Sequence, residues 1–257
     1  MVQVSVSEPF LISEISSRYF VFDVSTVTHM RSKHHICGVL IGNIPQATQQ
    51  TVFSGIPLEL MPEEARLLVE KGHAFIADDV AGHASNLANL NPEEKKAFIA
   101  ELEREGLEGA QMQRQQSLQK KQAHLKRAGS SMEAIQSSKI EPLRLTPTTS
   151  YPPLHASPIP DLPKVPSSYP LFAHLHEKGY FMGPGLRFGC QYVAYPGDPL
   201  RYHSHFLVTS YEWDEEIDLL DIVGGGRLGT GVKKGYMIGG ARAKDDVRAF
   251  TFEWAAM

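Results

Sequence analysis

The residues of this chain whose types and spacing suit chemistry are Tyr195, His203 and Lys234. They lie in one stretch that reads YPGDPLRYHSHFLV, then an acidic segment, then GGGRLGTGVKK. A phenol, an imidazole and an ammonium group are a base, an acid and a cation. That set matches the needs of an RNA phosphodiester attacked by its own neighbouring 2′-hydroxyl. The hydroxyl must lose a proton, the departing 5′-oxygen must gain one, and the phosphorane between them needs positive charge. Histidine suits the acid role because it can be protonated near neutral pH. Lysine suits a place where negative charge develops. Tyrosine, with a reference pKa of ~10, serves as a base only where cations lower it. No metal is required. The plain alternative stays open, because tyrosine and histidine on strands commonly pack and hydrogen-bond.

The surrounding pattern predicts a hairpin. LRFGCQYVAY reads as a strand, PGDP as a turn and RYHSHFLVTSYEW as the returning strand. His203 and His205, two apart on a strand, would share a face. Spacing alone does not rank one above the other. DEEIDLLDIV reads as a helix with Ile217, Leu220 and Val223 on one face. GGGRLG (224–229) matches G-x-G-x-x-G, but it follows an apparent helix and opens an apparent strand. That is the wrong context for a dinucleotide fingerprint. It reads instead as a flexible turn bringing Arg227, Lys233 and Lys234 to phosphate. A final strand covers 247–254.

Upstream, residues 1–85 read as a small α/β domain. VQVSV, PFLIS and RYFVFD are strand-like, Asp23 or Ser25 is positioned to cap a helix over 24–31, and HICGVLIG (35–42) reads as a buried strand. FSGIPLEL and HAFIADD are further strands. Between them MPEEARLLVEKG is the clearest helix, with Pro62 in its first turn and Gly72 as its stop. His29, His34, His35 and His73 fit no metal-ligand spacing, and read as solvated loop polarity rather than a metal or phosphate site. Cys37 and Cys190 lack a CxxC partner and read as small hydrophobes.

Residues 86–167 differ in character. A charged, Gln-rich helix opens at Asn91-Pro92, with Gly106 and Gly109 expected to split it. Its basic end, Lys120, Lys121, Lys126 and Arg127, reads as a solvated face. A Pro-rich linker follows, which cannot form a regular core element. The last domain, 168–257, begins with YPLFAHLHEKGYF, a helix with Leu171, Phe172 and Leu175 on its apolar face. The fold class is therefore mixed α+β: a small N-terminal α/β domain, a helical and Pro-rich linker, and a C-terminal α/β domain.

Composition sets limits. The 257 residues are 42% hydrophobic, enough for a core, and no apolar run approaches a membrane span. The N-terminus lacks the features of a secretory signal. The net charge is −4, and residues 168–257 carry nine Lys/Arg against eleven Asp/Glu. A nucleic-acid site must then be a local basic cluster, or partner subunits must complete it.

The segments GYFMGPGLRFGCQYVAYPGDPLRYHSHFLV and GRLGTGVKKGYMI together resemble the catalytic domain of tRNA-splicing endonuclease. The YPGDPLR-aromatic-H-x-H segment is most similar to the eukaryotic catalytic subunit assigned to the 3′ splice site. MPEEARLLVEKG resembles the same subunit. The resemblance implies metal-independent cleavage of pre-tRNA to 2′,3′-cyclic phosphate and 5′-hydroxyl ends, with no cofactor and no metal. It implies Tyr195 as general base, His203 as general acid and Lys234 as transition-state cation. Arg227 and Trp254 would sandwich an intron nucleotide at the other catalytic subunit's site, and Lys233 would touch RNA. Gln191 departs from the acidic residue usual at that position. Implied partners are a second catalytic subunit and two non-catalytic ones in a heterotetramer, with strand 247–254 offered for edge pairing. The implied location is the nucleus or the cytosolic face of the mitochondrial outer membrane, without membrane insertion. The alternative is a non-catalytic scaffold subunit of the same complex. The intact Tyr–His–Lys set weighs against that, since a scaffold needs none of the three.

Overall fold

The computed structural model describes residues 6–42, 55–128, 141–143, 162–243 and 246–253. The chain divides into two compact units: residues 1–80 together with 154–257, and residues 81–153. The first unit holds two five-stranded sheets, each mixed, with helices packed on them, so the α+β class expected from the sequence is the one observed. Among the described residues no helix is long and apolar enough to cross a membrane.

The first sheet is built from β1 (Phe10–Ile15), β2 (Arg18–Val21), β3 (Val39–Gly42), β4 (Gly55–Leu60) and β5 (Ala74–Asp78), in the order β3-β4-β2-β1-β5. β1 and β5 are parallel, and the other pairs are antiparallel. VQVSV lies almost wholly outside the described residues. α1 (Val24–Lys33) starts where the sequence predicts: the Asp23 carboxylate accepts from the Thr26 backbone N–H at 2.7 Å. α2 (Pro62–Glu70) begins with Pro62 and stops before Gly72, which adopts φ +73°. Glu64, 1% exposed, accepts from the backbone N–H groups of Met61, Cys37 and Gly38 at 2.9, 3.3 and 3.1 Å. It thereby caps α2 and pins the chain entering β3. Burial nonetheless pushes its carboxyl pKa up to about 7.

Two expectations fail in this sheet. β3 is not a buried strand but, among the described residues, an edge strand paired only with β4, and Val39, Leu40 and Ile41 are exposed. A short β-branched run reports ladder formation, and burial depends on what covers it. The histidines are not solvated loop polarity either. The side chains of His29 and His34 are 10% and 12% exposed and face Glu8, and His35 stacks on Phe181 with centroids 4.8 Å apart.

The second sheet contains β6 (Phe181–Pro184), β7 (Tyr192–Tyr195), β8 (Phe206–Ser210), β9 (Gly235–Ala243) and β10 (Asp246–Phe252), in the order β10-β9-β8-β7-β6. β8 and β9 are parallel, and the connection between them carries a helix. Strand alternation splits this sheet's side chains between two cores. Tyr192, Ala194, Val208 and Met237 face α5 (Tyr169–Glu177) and join a core shared with β1, β5 and α2. Val193, Leu207, Tyr236 and Ile238 form the second core on the opposite face. Buried polar groups link β7 to α2 and to the start of α5: Tyr192 Oη donates to Glu63 Oε1 at 2.7 Å and lies 2.7 Å from Ser168 Oγ.

The largest correction concerns the glycine-rich segment. It is not a turn: α6 (Leu219–Gly231) runs through it, with five glycines in thirteen residues. Helix propensity alone argues against this by about 1 kcal/mol per glycine. Packing overrides it. A Cβ on Gly225 would fall 2.4 Å from the Tyr236 ring, and one on Gly229 would fall 2.6 Å from the Lys234 carbonyl oxygen. The glycines let the helix lie directly on β9. The predicted apolar face fails with it: Ile217 precedes the helix, and Leu220 and Val223 are exposed.

The second unit contains most of α3 (Asp79–Asn89) and all of α4 (Pro92–Ala128). α4 runs without a break through Gly106 and Gly109, contrary to the expected split. Lys120 is exposed, while the side chains of Lys121, Lys126 and Arg127 lie outside the described residues, as does most of the Pro-rich linker.

Candidate active site

Three adjacent strands of the second sheet bring the sequence candidates to one end. Register aligns Ala194 of β7 with Phe206 of β8, and Phe206 with Gly235 of β9. Tyr195 therefore ends β7, the His203–Ser204–His205 segment leads into β8, and Lys234 leads into β9. Backbone bonds stitch the three together: His205 N–H donates to the Ala194 carbonyl at 2.9 Å, and Gly235 N–H donates to the His205 carbonyl at 2.8 Å.

Tyr195 is half-buried against the second core. Burial raises its phenol pKa, and a side-chain hydrogen bond with Ser204 works the other way by favouring the phenolate. That bond joins the tyrosine to the tripeptide carrying both histidines. His203 is exposed and lies in a loop. This corrects the expectation that it shares a strand face with His205, because β8 begins only at Phe206. His205 is also exposed, and with Phe206, Thr230, Lys233, Lys234, Gly235 and Glu253 it lines an open cavity of 410 Å³. His203 and Tyr195 stand outside that lining.

The 196–205 loop has its own anchor. Asp198, the acid of YPGDP, accepts from Arg31 Nε and Nη2 of α1 at 3.0 and 2.7 Å, and from the Leu200 N–H at 2.9 Å. The Arg31 guanidinium holds its pKa below the usual carboxylate value. The Asp198 carbonyl also accepts from the N–H groups of Arg201 and Tyr202. The histidines are thus presented by a tethered loop.

The approach of Lys234 is set by the end of α6. Lys234 N–H donates to the Gly229 carbonyl at 2.8 Å, and Lys233 N–H donates to that of Thr230 at 3.1 Å. This pair of bonds is the Schellman closure, whose left-handed position glycine usually fills. Here Lys233 fills it, at φ +57°. The closure turns the chain straight from helix into β9. Lys233 is left exposed, while Lys234 is half-buried, its Nζ 3.4 Å from the Val232 carbonyl and 5.8 Å from the centre of the Phe188 ring. Arg227 is exposed on α6, and Trp254 lies outside the described residues.

Sequence reading missed three contributors. Ser204 and Asp198 were visible as letters of a motif but carried no assignable role until the loop closed. The cluster of Glu8, His29, His34 and His73 has members from three separate segments, so no spacing reveals it. A signal was available in the density of histidine in residues 29–73.

Comparison with known proteins bears on the same regions. Residues 10–79 match the family model described as the TSEN34-like N-terminal domain, and residues 165–249 match the tRNA intron endonuclease catalytic C-terminal domain. Over 96% of this chain and 98% of its own length, the probable tRNA-splicing endonuclease subunit sen34 of Schizosaccharomyces pombe is 36% identical. The tRNA-splicing endonuclease subunit SEN34 of Saccharomyces cerevisiae is 31% identical over 91% of this chain and 98% of its own. The tRNA-splicing endonuclease of the archaeon Hyperthermus butylicus is 32% identical over 37% of this chain and 52% of its own.

Proposed function

This chain belongs to the tRNA-splicing endonuclease family, on its Sen34 branch, and we propose that it is the subunit that cuts pre-tRNA at the 3′ splice site. The family is an endoribonuclease of the tRNA-intron lyase type, and a Sen34 chain works as one subunit of a larger assembly. In the proposed reaction Tyr195 takes the proton of the 2′-hydroxyl at the junction. His203 gives a proton to the departing 5′-oxygen. Lys234 supplies charge to the phosphorane. The products are a 2′,3′-cyclic phosphate and a 5′-hydroxyl, and no metal takes part. Burial holds the Tyr195 phenol neutral in the free chain, so the base role needs cations gathered in the RNA-bound site, with Ser204 favouring the phenolate from below.

The observation that carries this reading is the convergence of β7, β8 and β9. A phenol, a histidine tripeptide and an ammonium group from distant points of the chain reach one sheet end in register. Lys233, Arg227 and Trp254 are the proposed RNA contacts, the last two as a cation–π pair around an intron nucleotide at the other catalytic subunit's site. The proposed partners are that second catalytic subunit and two non-catalytic ones, in a heterotetramer that completes the RNA footprint. β10, which ends the second sheet among the described residues, is the proposed edge for strand pairing with a partner. The proposed location is the nucleus, with the cytosolic face of the mitochondrial outer membrane as the alternative.

The test is cleavage by the co-expressed assembly carrying His203→Ala. The expected outcome is loss of 3′-site cutting with 5′-site cutting and assembly kept. Retained 3′ cutting refutes the acid role. Retained cutting when Tyr195→Phe, His203→Ala and Lys234→Ala are combined would make the chain a scaffold.

A further inference from the structure

Away from the sheet end, four side chains meet in a way the RNA chemistry does not use. Glu8 precedes β1, His29 and His34 sit on and at the end of α1, and His73 lies in the turn between α2 and β5. Glu8 Oε1 is 2.6 Å from His29 Nε2 and 2.8 Å from His34 Nε2, and Glu8 Oε2 is 2.6 Å from His73 Nδ1. The rings of His34 and His73 lie 4.0 Å apart.

We propose that Glu8, His34 and His73 are the ligands of a divalent transition-metal site, with Zn²⁺ the best-matched ion. One donor atom from each lies within 4.8 Å of the other two. A tetrahedral Zn²⁺ with bonds of ~2.0–2.1 Å needs donors about 3.3 Å apart. Binding an ion requires the Glu8–His34 and Glu8–His73 contacts, 2.8 and 2.6 Å, to open as the three donors turn toward one point. Two imidazoles and a carboxylate suit zinc, whereas magnesium and calcium prefer oxygen alone. The fourth position is left to solvent.

The supporting backbone is fixed. Phe10 N–H donates to the His73 carbonyl at 3.0 Å, His73 N–H to that of Leu68 at 2.9 Å, and His34 N–H to that of Met30 at 2.9 Å. His176 Nε2 lies 2.7 Å from the His34 carbonyl oxygen. His29 contacts the carboxylate and acts as a positioning residue that orients it. His73 and Glu8 are about a third exposed, which gives the ion a way in. The bound ion would tie the segment before β1 to α1 and to the turn before β5, a structural role separate from cleavage.

The test uses the full chain, stripped of metal and titrated with Co²⁺ as a spectroscopic probe, then with Zn²⁺ in competition. The expected result is one equivalent of Co²⁺ with the intense visible bands of tetrahedral coordination, displaced by Zn²⁺. Zn²⁺ should also raise the thermal midpoint. His73→Ala and Glu8→Gln should each weaken binding more than 10-fold and remove the thermal shift, and His29→Ala should weaken it about 10–100-fold. Near-UV circular dichroism checks that the variants fold. Glu8→Gln, a near-isosteric change, answers if His73→Ala does not. Absent tetrahedral bands, or equal binding by the parent and Glu8→Gln, overturns the proposal.

Discussion

The two sheets of the first unit are matched in strand number and share a core, yet they treat polar groups in opposite ways. In the first sheet charged groups are satisfied locally. Glu64 takes three backbone N–H groups, Glu8 takes three imidazoles, and Arg18 pairs with Glu59. In the second sheet one end gathers His203, His205 and Lys233 in the open, beside a half-buried phenol and a half-buried ammonium group. Pinned groups hold a fold, and solvent-facing groups of complementary chemistry at one sheet end are available to a ligand. The difference locates function better than histidine count does, since both sheets carry several.

The strongest way to break this comparison is to swap the two exposed histidines. His203→Ala is expected to lower single-turnover cleavage by about 10²–10⁴-fold, with His205→Ala well behind. The His205 side chain lines the cavity that also holds Lys234, so the reverse order would move the acid role to His205. Lys234→Ala is expected to cost about 10²–10³-fold in the cleavage step, with RNA affinity changed far less. A loss confined to affinity would make it a binding residue only.

On the first sheet the expected effect is on stability. The folded-state pKa of Glu64, about 7, lies above the usual carboxyl value of 4.5. Between those values the folded chain binds more protons than the unfolded one, so this group's contribution falls as pH rises from about 4.5 to about 7 and is flat above. The span corresponds to roughly 3 kcal/mol. Urea unfolding at pH 5 and pH 7.5 should show this loss in the parent relative to Glu64→Gln, which cannot titrate. Identical pH dependence in the two would contradict it. The smallest expected effect is Lys233→Gly. Relief of the left-handed backbone should raise stability by up to about 1 kcal/mol, read as a higher thermal midpoint, with the Schellman closure intact.

Local chemistry was legible in the sequence wherever one short segment decides the outcome. Asp23 at the start of α1, Pro62 in the first turn of α2 and Gly72 after it act within a turn of themselves. β7 could be read as a strand from its aromatic and β-branched residues, and its continuous apolar run fits a strand whose two faces pack on different cores. What failed depended on contacts made outside the segment itself. GGGRLG reads as a turn by propensity and is helical because Tyr236 and the Lys234 carbonyl press against it. VLIG reads as buried and lies at an edge because, among the described residues, only β4 pairs with it. The chemistry proposed for Tyr195, His203 and Lys234 rests on residue types, and the tether of Asp198 to Arg31, 167 positions earlier in the chain, had no sequence signal.

The most direct measurement is end-group analysis of pre-tRNA cut by the co-expressed assembly in excess chelator, with a parallel substrate carrying 2′-deoxyribose at the 3′ junction. Base, acid and cation acting alone predict a 2′,3′-cyclic phosphate and a 5′-hydroxyl, undiminished by chelator, and no cutting of the deoxy substrate. Ends bearing a 3′-hydroxyl and a 5′-phosphate, or cleavage of the deoxy junction, would contradict it.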